Sequence, residues 1–185
     1  GFAGGTLARD VQTLRSLGDR SGLETPFLDG LWRANNTQNG MVLRKLRAAL
    51  GDPLRGRVVA LLGLTYKPDT STLRRSAAVE LATALLAEGA AVRASDPKAD
   101  RAEVAAIRGL QFFDDPMAAA ASADAIVLMT PGSVYRSIDL AALRRAARGA
   151  VLIDTAPLWT AAAAESAGWV YLDIGRGRKA GACRS

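Results

Sequence analysis

The sequence predicts an α/β protein in which a parallel-sheet domain follows a long helix, and three observations predict it. From Arg57 onward, short apolar runs alternate with helix-patterned segments. Strands separated by helices imply right-handed crossovers and a parallel sheet. Several runs end in acidic or hydroxyl residues, Ser95-Asp96, Thr130 and Asp154-Thr155, which lines one sheet edge with polar groups. Ahead of them, a helical period from Pro26 to Leu50 is too long for a crossover within a compact unit. A chain of 185 residues can bury one substantial core and carry an accessory region.

The elements follow in order. Gly1 to Gly5 is a glycine-rich opening, and Thr6 stands where it can cap a helix over Leu7 to Leu17. Leu7, Val11, Leu14 and Leu17 give that helix one apolar face. Gly18 to Gly22 punctuates the chain, and Pro26 opens the long helix. Its face is marked by Leu28, Leu31, Asn35, Val42, Leu46 and Leu50, with polar interruptions at Asn35 and Gln38. Gly30 and Gly40 weaken it by about 1 kcal/mol each relative to Ala, so packing must support it. Gly51 to Gly56 reads as a linker.

Beyond the linker, strands are expected at 57–62, 91–94, 111–113, 125–129, 150–153 and 170–172, and helices at 77–88, 101–107, 116–121, 139–147 and 161–167. The expected division is 1–52 as the end of a helical central region, 53–175 as the sheet domain and 176–185 as a basic, disordered tail.

Composition narrows the function classes. At 49% hydrophobic and 23% charged, the chain falls in the ordinary globular range. No apolar run approaches the ~18 residues a membrane helix needs. The start carries no signal-peptide pattern, and the chain reads as a piece of a longer protein. The single cysteine, Cys183, permits no disulfide framework or cysteine metal site within the chain, and the absence of His removes the commonest general base. No metal site is expected, and a reducing, cytoplasmic setting is the default. The net charge of +6 is spread along the chain and aromatic content is 5%, which argues against a nucleic-acid partner.

One stretch concentrates ligand-binding chemistry. Gly63 to Ser76 follows the strand-like run 57–62 and carries Tyr66, the lone loop lysine Lys67, Pro68, several hydroxyl residues, Arg74 and Arg75. A loop leaving the carboxyl end of a buried strand is where open α/β sheets bind ligands, and this inventory suits an anionic, hydroxylated one such as a nucleotide sugar. The turn holds no Gly-x-Gly-x-x-Gly, so the dinucleotide fingerprint is missing from this sheet.

Gly63-Leu-Thr-Tyr-Lys-Pro-Asp-Thr, Arg74-x-Ser76, Gly89-Ala and Ser95-Asp96-Pro97 resemble the C-terminal UDP-binding domain of the UDP-glucose/GDP-mannose dehydrogenase family. Gly1-Phe-Ala-Gly-Gly-Thr-Leu-Ala-Arg-Asp10 resembles that family's catalytic segment, the long helix resembles its central dimer-building helix, and 169–176 resembles its closing strand. The resemblance covers nearly the whole chain, with its motifs in the family's order. It implies a Rossmann-like domain, a nucleotide-sugar ligand of the UDP-sugar class, NAD as the parent enzyme's cofactor and a homodimer through the long helix. It also implies catalytic positions at Thr6 and Asp10, substrate contacts from Phe2, Gly4, Gly5, Tyr66 and Lys67, and a cofactor contact from Arg74.

The departures lie in the chemistry. Thr6 stands where the family has its nucleophilic Cys, Ala8 and Arg9 replace Pro and Lys, and Ser71 and Thr72 replace an acidic pair. The family's late substrate Arg has no counterpart in 154–157. A Thr hydroxyl with no His to activate it does not replace a thiolate. Each candidate also has a plainer reading: a solvated Lys67, a surface Arg74, a packed Tyr66, a frayed glycine turn and an Asp10 that favours its helix N-terminus. Two expectations follow: the C-terminal, nucleotide-sugar-binding part of an NAD-dependent 6-dehydrogenase, inactive by itself, or a non-catalytic binding or dimerisation module.

Overall fold

The computed structural model describes Phe2 and residues 6–175, so Gly4, Gly5, Cys183 and the basic tail lie outside the described residues. Six parallel strands form one sheet: β1 (Val58–Leu62), β2 (Ala91–Ser95), β3 (Gln111–Phe112), β4 (Ala125–Leu128), β5 (Val151–Asp154) and β6 (Val170–Asp173). Their spatial order is β3-β2-β1-β4-β5-β6. The chain builds outward from β1 to β3, then returns to lay β4 against β1's other side, in register from Val59↔Ala125 to Leu62↔Leu128. That reversal opens a crevice above the carboxyl ends of β1 and β4.

Alternating side chains give the sheet two covered faces. Val59, Leu61, Val92, Val127 and Ile153 enter one core, where α3 (Met41–Leu50) supplies Val42 and Leu46 and α4 (Ala77–Ala87) supplies Leu81 and Leu85. Ala60, Leu62, Ile126, Leu128 and Leu152 enter the other. There α8 (Leu140–Ala146) supplies Leu143 and α9 (Ala161–Ser166) supplies Ala164. Burial on both faces explains why the central strands read as unbroken apolar runs.

Helix starts are set by local chemistry. Ser76, Asp115, Asp139 and Thr160 each accept a backbone N–H in the first turn of α4, α6 (Pro116–Ala120), α8 and α9, and Asp100 accepts two from α5 (Arg101–Ala105). The long helix is α2 (Pro26–Asn39) continued by α3, bent at Gly40. Gly40 still donates to Asn36 and accepts from Arg44, so the bend keeps its backbone bonds. The first helix, α1 (Leu7–Arg20), starts at Thr6 as expected, but the Thr6 hydroxyl accepts no capping bond. A four-residue turn, α7 (Ser133–Arg136), follows β4 where no element was expected; it is too short to carry a helical period.

At the amino edge of the sheet, Asp124 ties the start of β1 to Arg148 ahead of β5. Its carboxylate accepts the Val58 N–H at 2.8 Å and two Arg148 bonds at 2.8 and 2.6 Å. Gly149 packs so tightly here that a Cβ would fall 1.9 Å from the Asp124 carbonyl oxygen. Burial pushes this carboxyl's pKa up, but the Arg148 bonds and charge and the Val58 amide outweigh it, leaving the group below its ordinary value. A depressed folded pKa gives stability that is complete above the unfolded value near 3.9 and lost as pH falls through the folded one. Asp124→Asn is therefore expected to lower the thermal midpoint by a few degrees at neutral pH. The gap to the parent should close as pH falls below about 4, read by thermal melts across pH.

Candidate functional site at the carboxyl edge

The loop from Gly63 to Ser76 leaves β1 directly over the crevice. Gly63 has φ +88°, and a Cβ there would lie 2.6–2.7 Å from Thr130 atoms just past β4. Only glycine lets the two strand ends approach this closely. The Gly63 N–H donates to the Ser95 carbonyl at 2.9 Å, and the Thr130 hydroxyl donates to the Thr65 carbonyl at 2.6 Å. Asp96, 4% exposed, accepts the Leu64 and Thr65 amides on one oxygen (2.7 and 3.0 Å) and the Lys98 amide on the other (2.9 Å). At the loop's far end, Glu103 accepts the Leu73 N–H at 2.5 Å and the Thr72 hydroxyl at 3.2 Å. The Ser76 hydroxyl ties back to the Leu64 carbonyl at 2.6 Å.

Between these ties stands the tip. The Tyr66 N–H reaches the Thr72 carbonyl at 3.4 Å, and the Thr70 hydroxyl donates to the Lys67 carbonyl at 2.8 Å. Tyr66 is 37% exposed, and the Lys67 ammonium lies 5.3 Å from its ring centroid. The loop thus presents an exposed cation on an aromatic platform.

Below the tip, a crevice of about 60 Å³ is lined by Thr65, Pro68, Asp69, Asp96, Lys98, Thr130, Gly132 and Tyr135, among others. The Tyr135 hydroxyl donates to the Ser95 carbonyl at 2.7 Å. Burial, then the nearby Asp96 charge, pushes this phenol far above its usual pKa, with the Gly63 amide offsetting part of the rise. Tyr135 therefore remains a protonated donor, not a base.

The other expected residues lie elsewhere. Phe2 donates its N–H to the buried Asn35 carboxamide at 2.6 Å. It lines a hollow of about 280 Å³ between α1, α2 and the start of α4, together with Arg9, Trp32, Asn36, Arg75 and Glu80. Thr6 is exposed at the head of α1, and the exposed Asp10 pairs with Arg9 at 2.9 Å. Arg74 lines an open groove with Leu73, Val79, Glu103, Ala106 and Ile107. Tyr66 and Lys67 share the loop tip, whereas Phe2 and Arg74 line separate depressions.

Several residues that order this region escape a reading of sequence alone. Asn35 reads as an interruption of an apolar face, yet it anchors the opening segment. Its place on that face is the one signal for a buried role. Glu103 carries no signal, because an acidic residue early in a helix is commonplace. Asp96, Thr130 and Asp154 read as a ligand-facing edge, and the structure engages all three within the protein. Asp154 accepts the Ala156, Leu158 and Trp159 amides and the Tyr171 hydroxyl. Among the described residues no group of His, Cys, Asp and Glu could hold a metal ion, and no helix is long and apolar enough to cross a membrane.

A profile of the UDP-glucose/GDP-mannose dehydrogenase family, UDP binding domain, matches residues 60–161. Among curated proteins, the chain is 33% identical to a UDP-glucose 6-dehydrogenase of Pseudomonas aeruginosa, over all of this chain and 42% of that protein. It is 30% identical to the corresponding enzyme of Rhizobium meliloti, over 95% of this chain and 40% of that one. Among solved structures, a UDP-glucose dehydrogenase from Pyrobaculum islandicum superposes with a TM-score of 0.78 at 29% identity, covering 96% of this chain and 38% of that one. A ternary complex of GDP-mannose dehydrogenase from Pseudomonas aeruginosa gives 0.65 at 26% identity, covering 94% and 39%. The chain spans about two fifths of the length of these relatives.

The close approach at Gly63 gives a direct expectation. Gly63→Ala must place a Cβ against Thr130 in a left-handed backbone, and it should destabilise the fold by about 3 kcal/mol in urea unfolding.

Proposed function

Because the chain belongs to the UDP-glucose/GDP-mannose dehydrogenase family, we propose that it is the C-terminal, nucleotide-sugar-binding part of an NAD-dependent nucleotide-sugar 6-dehydrogenase. The observation that carries this reading is the strapped loop at the carboxyl edge, which holds Lys67 out over the crevice beside Tyr66. An exposed ammonium on a tied loop suits a diphosphate, and the neighbouring aromatic and hydroxyl groups suit a base or sugar. Phe2, and with it the glycine segment that reaches Thr6, belongs to the same reading as the sugar-facing side. A reducing, cytoplasmic setting fits it.

NAD does not fit the residues of this sheet. The turn after β1 has no second and third glycine for a pyrophosphate. The acidic residue at the end of β2, Asp96, is already engaged by three backbone amides. Arg74 therefore serves, in this reading, as an outlying contact to a cofactor held mainly by residues other than these. No step of the oxidation is assigned to this chain: Thr6 has no neighbouring base, and Asp10 is paired with Arg9.

The test is calorimetric titration of the purified chain with UDP and UDP-glucose. Binding is expected, and Lys67→Ala should weaken it about tenfold, as loss of one charge-assisted contact does. The same chain supplied with UDP-glucose and NAD should generate no NADH above background. An undiminished affinity in Lys67→Ala, or steady NADH production, would sink the respective part of the reading.

The assembly reading has its own support in an apolar strip that the described residues leave uncovered. Leu7, Leu14 and Leu17 on α1 are each about half exposed, Leu23 is 66% exposed and Phe27 80%. Exposed large apolar side chains of this kind favour a protein partner, and Phe27 places one of them on the long helix, through which the homodimer is expected to form. Leu14→Glu combined with Leu17→Glu should convert the dimer to a monomer in sedimentation velocity without changing the far-ultraviolet circular dichroism.

A further inference from the structure

Two carboxylates from one short stretch, the end of β2 and the start of α5, hold the two ends of the Gly63–Ser76 loop. Asp96 takes the Leu64 and Thr65 amides at the loop's beginning, and Glu103 takes the Leu73 amide and Thr72 hydroxyl near its end. Between them, the Asp100 N–H reaches the Ser71 carbonyl at 2.9 Å. Everything from Tyr66 to Thr70 therefore hangs from two clamps seven residues apart on the neighbouring segment.

The structure assigns to Asp96 and Glu103 the role of positioning residues for Lys67, and removes Asp96 from ribose recognition. This rests on the nucleotide-sugar-binding reading above. In dinucleotide-binding sheets, the acidic residue at this strand end hydrogen-bonds a ribose hydroxyl. A carboxylate offers about four acceptor positions. Asp96 has three occupied by backbone amides and is buried, so it cannot present two oxygens to a diol. Its consequence is indirect: with both ends fixed, the tip loses little freedom when a ligand binds, which favours affinity for an anion at Lys67.

The experiment uses the full 185-residue chain, measuring amide hydrogen exchange without ligand and titration with UDP and 2′-deoxy-UDP. Glu103→Ala should speed exchange at Leu73 and its neighbours about tenfold or more while Val59 to Leu61 in β1 keep their protection, and UDP affinity should fall about tenfold. Glu103→Gln, which retains one acceptor oxygen, should recover part of both effects. Asp96→Asn should free the Leu64 and Thr65 amides and weaken both nucleotides equally. If that variant does not fold, the Glu103 pair decides the matter.

Faster exchange throughout the sheet, or loop exchange and UDP affinity left unchanged by the Glu103 variants, would overturn the positioning role. A change in the UDP to deoxy-UDP ratio in Asp96→Asn would restore Asp96 as a ribose ligand. A parent chain that binds no UDP overturns the nucleotide-binding reading and the ligand-positioning role with it. Bound UDP with unaffected straps overturns the positioning role alone.

Discussion

The contact between Gly63 and Thr130 sets the shape of everything above the sheet. Where β1 and β4 end side by side, the backbone of one passes within a distance that no Cβ permits. The loop that follows must therefore turn away at once, and its first two amides point toward β2. Asp96 meets them there, so a buried carboxylate and a tight turn stabilise each other. An unpaired carboxylate at this depth would cost several kcal/mol, and two unmet backbone amides would cost a comparable amount. Together they form a joint that fixes the direction in which Lys67 leaves the fold.

The same device recurs at other strand ends. Asp124 at the amino edge is met by Val58 and Arg148, and Asp154 at the carboxyl edge by three amides and a tyrosine hydroxyl. A parallel sheet buried on both faces leaves its terminal backbone groups out of the ladder and away from water. Short acidic side chains are well suited to gather them. The difference between the edges is the partner. Arg148 neutralises Asp124, whereas Asp96 and Asp154 rely on neutral donors, which keeps negative charge under a crevice whose rim carries Lys67 and Lys98.

Much of this architecture was legible in the residues. Alternating runs gave every strand to within two residues: burial on both faces makes the central ones apolar and short, while β3 and β6 at the edges are partly exposed. The caps at Ser76, Asp100, Asp115, Asp139 and Thr160 mark helix starts by local chemistry alone. The bend at Gly40 was foreshadowed only as a weak point, since whether a helix bends or breaks there depends on what α3 packs against. The site was less legible. Polar residues after strands look the same in sequence whether they face a ligand or a backbone amide, so Asp96 and Asp154 could be located but not assigned. Glu103 and Tyr135 act through contacts 30 to 40 residues away along the chain, which no local pattern encodes.

The arrangement separates holding a ligand from transforming it. Lys67 is fixed, exposed and oriented by bonds that do not involve its own side chain, as a binding contact should be. Thr6 has none of that support: it is exposed, its hydroxyl accepts no capping bond, and Asp10 in the first turn of the same helix pairs with Arg9. A hydroxyl becomes a nucleophile only when an adjacent group accepts its proton as the bond forms, and a chain without His must find that group among carboxylates or amines. Asp10, the one carboxylate close by in sequence, faces Arg9 at 2.9 Å. The physical investment in order lies at the far loop, where two carboxylates hold the backbone on either side of Lys67.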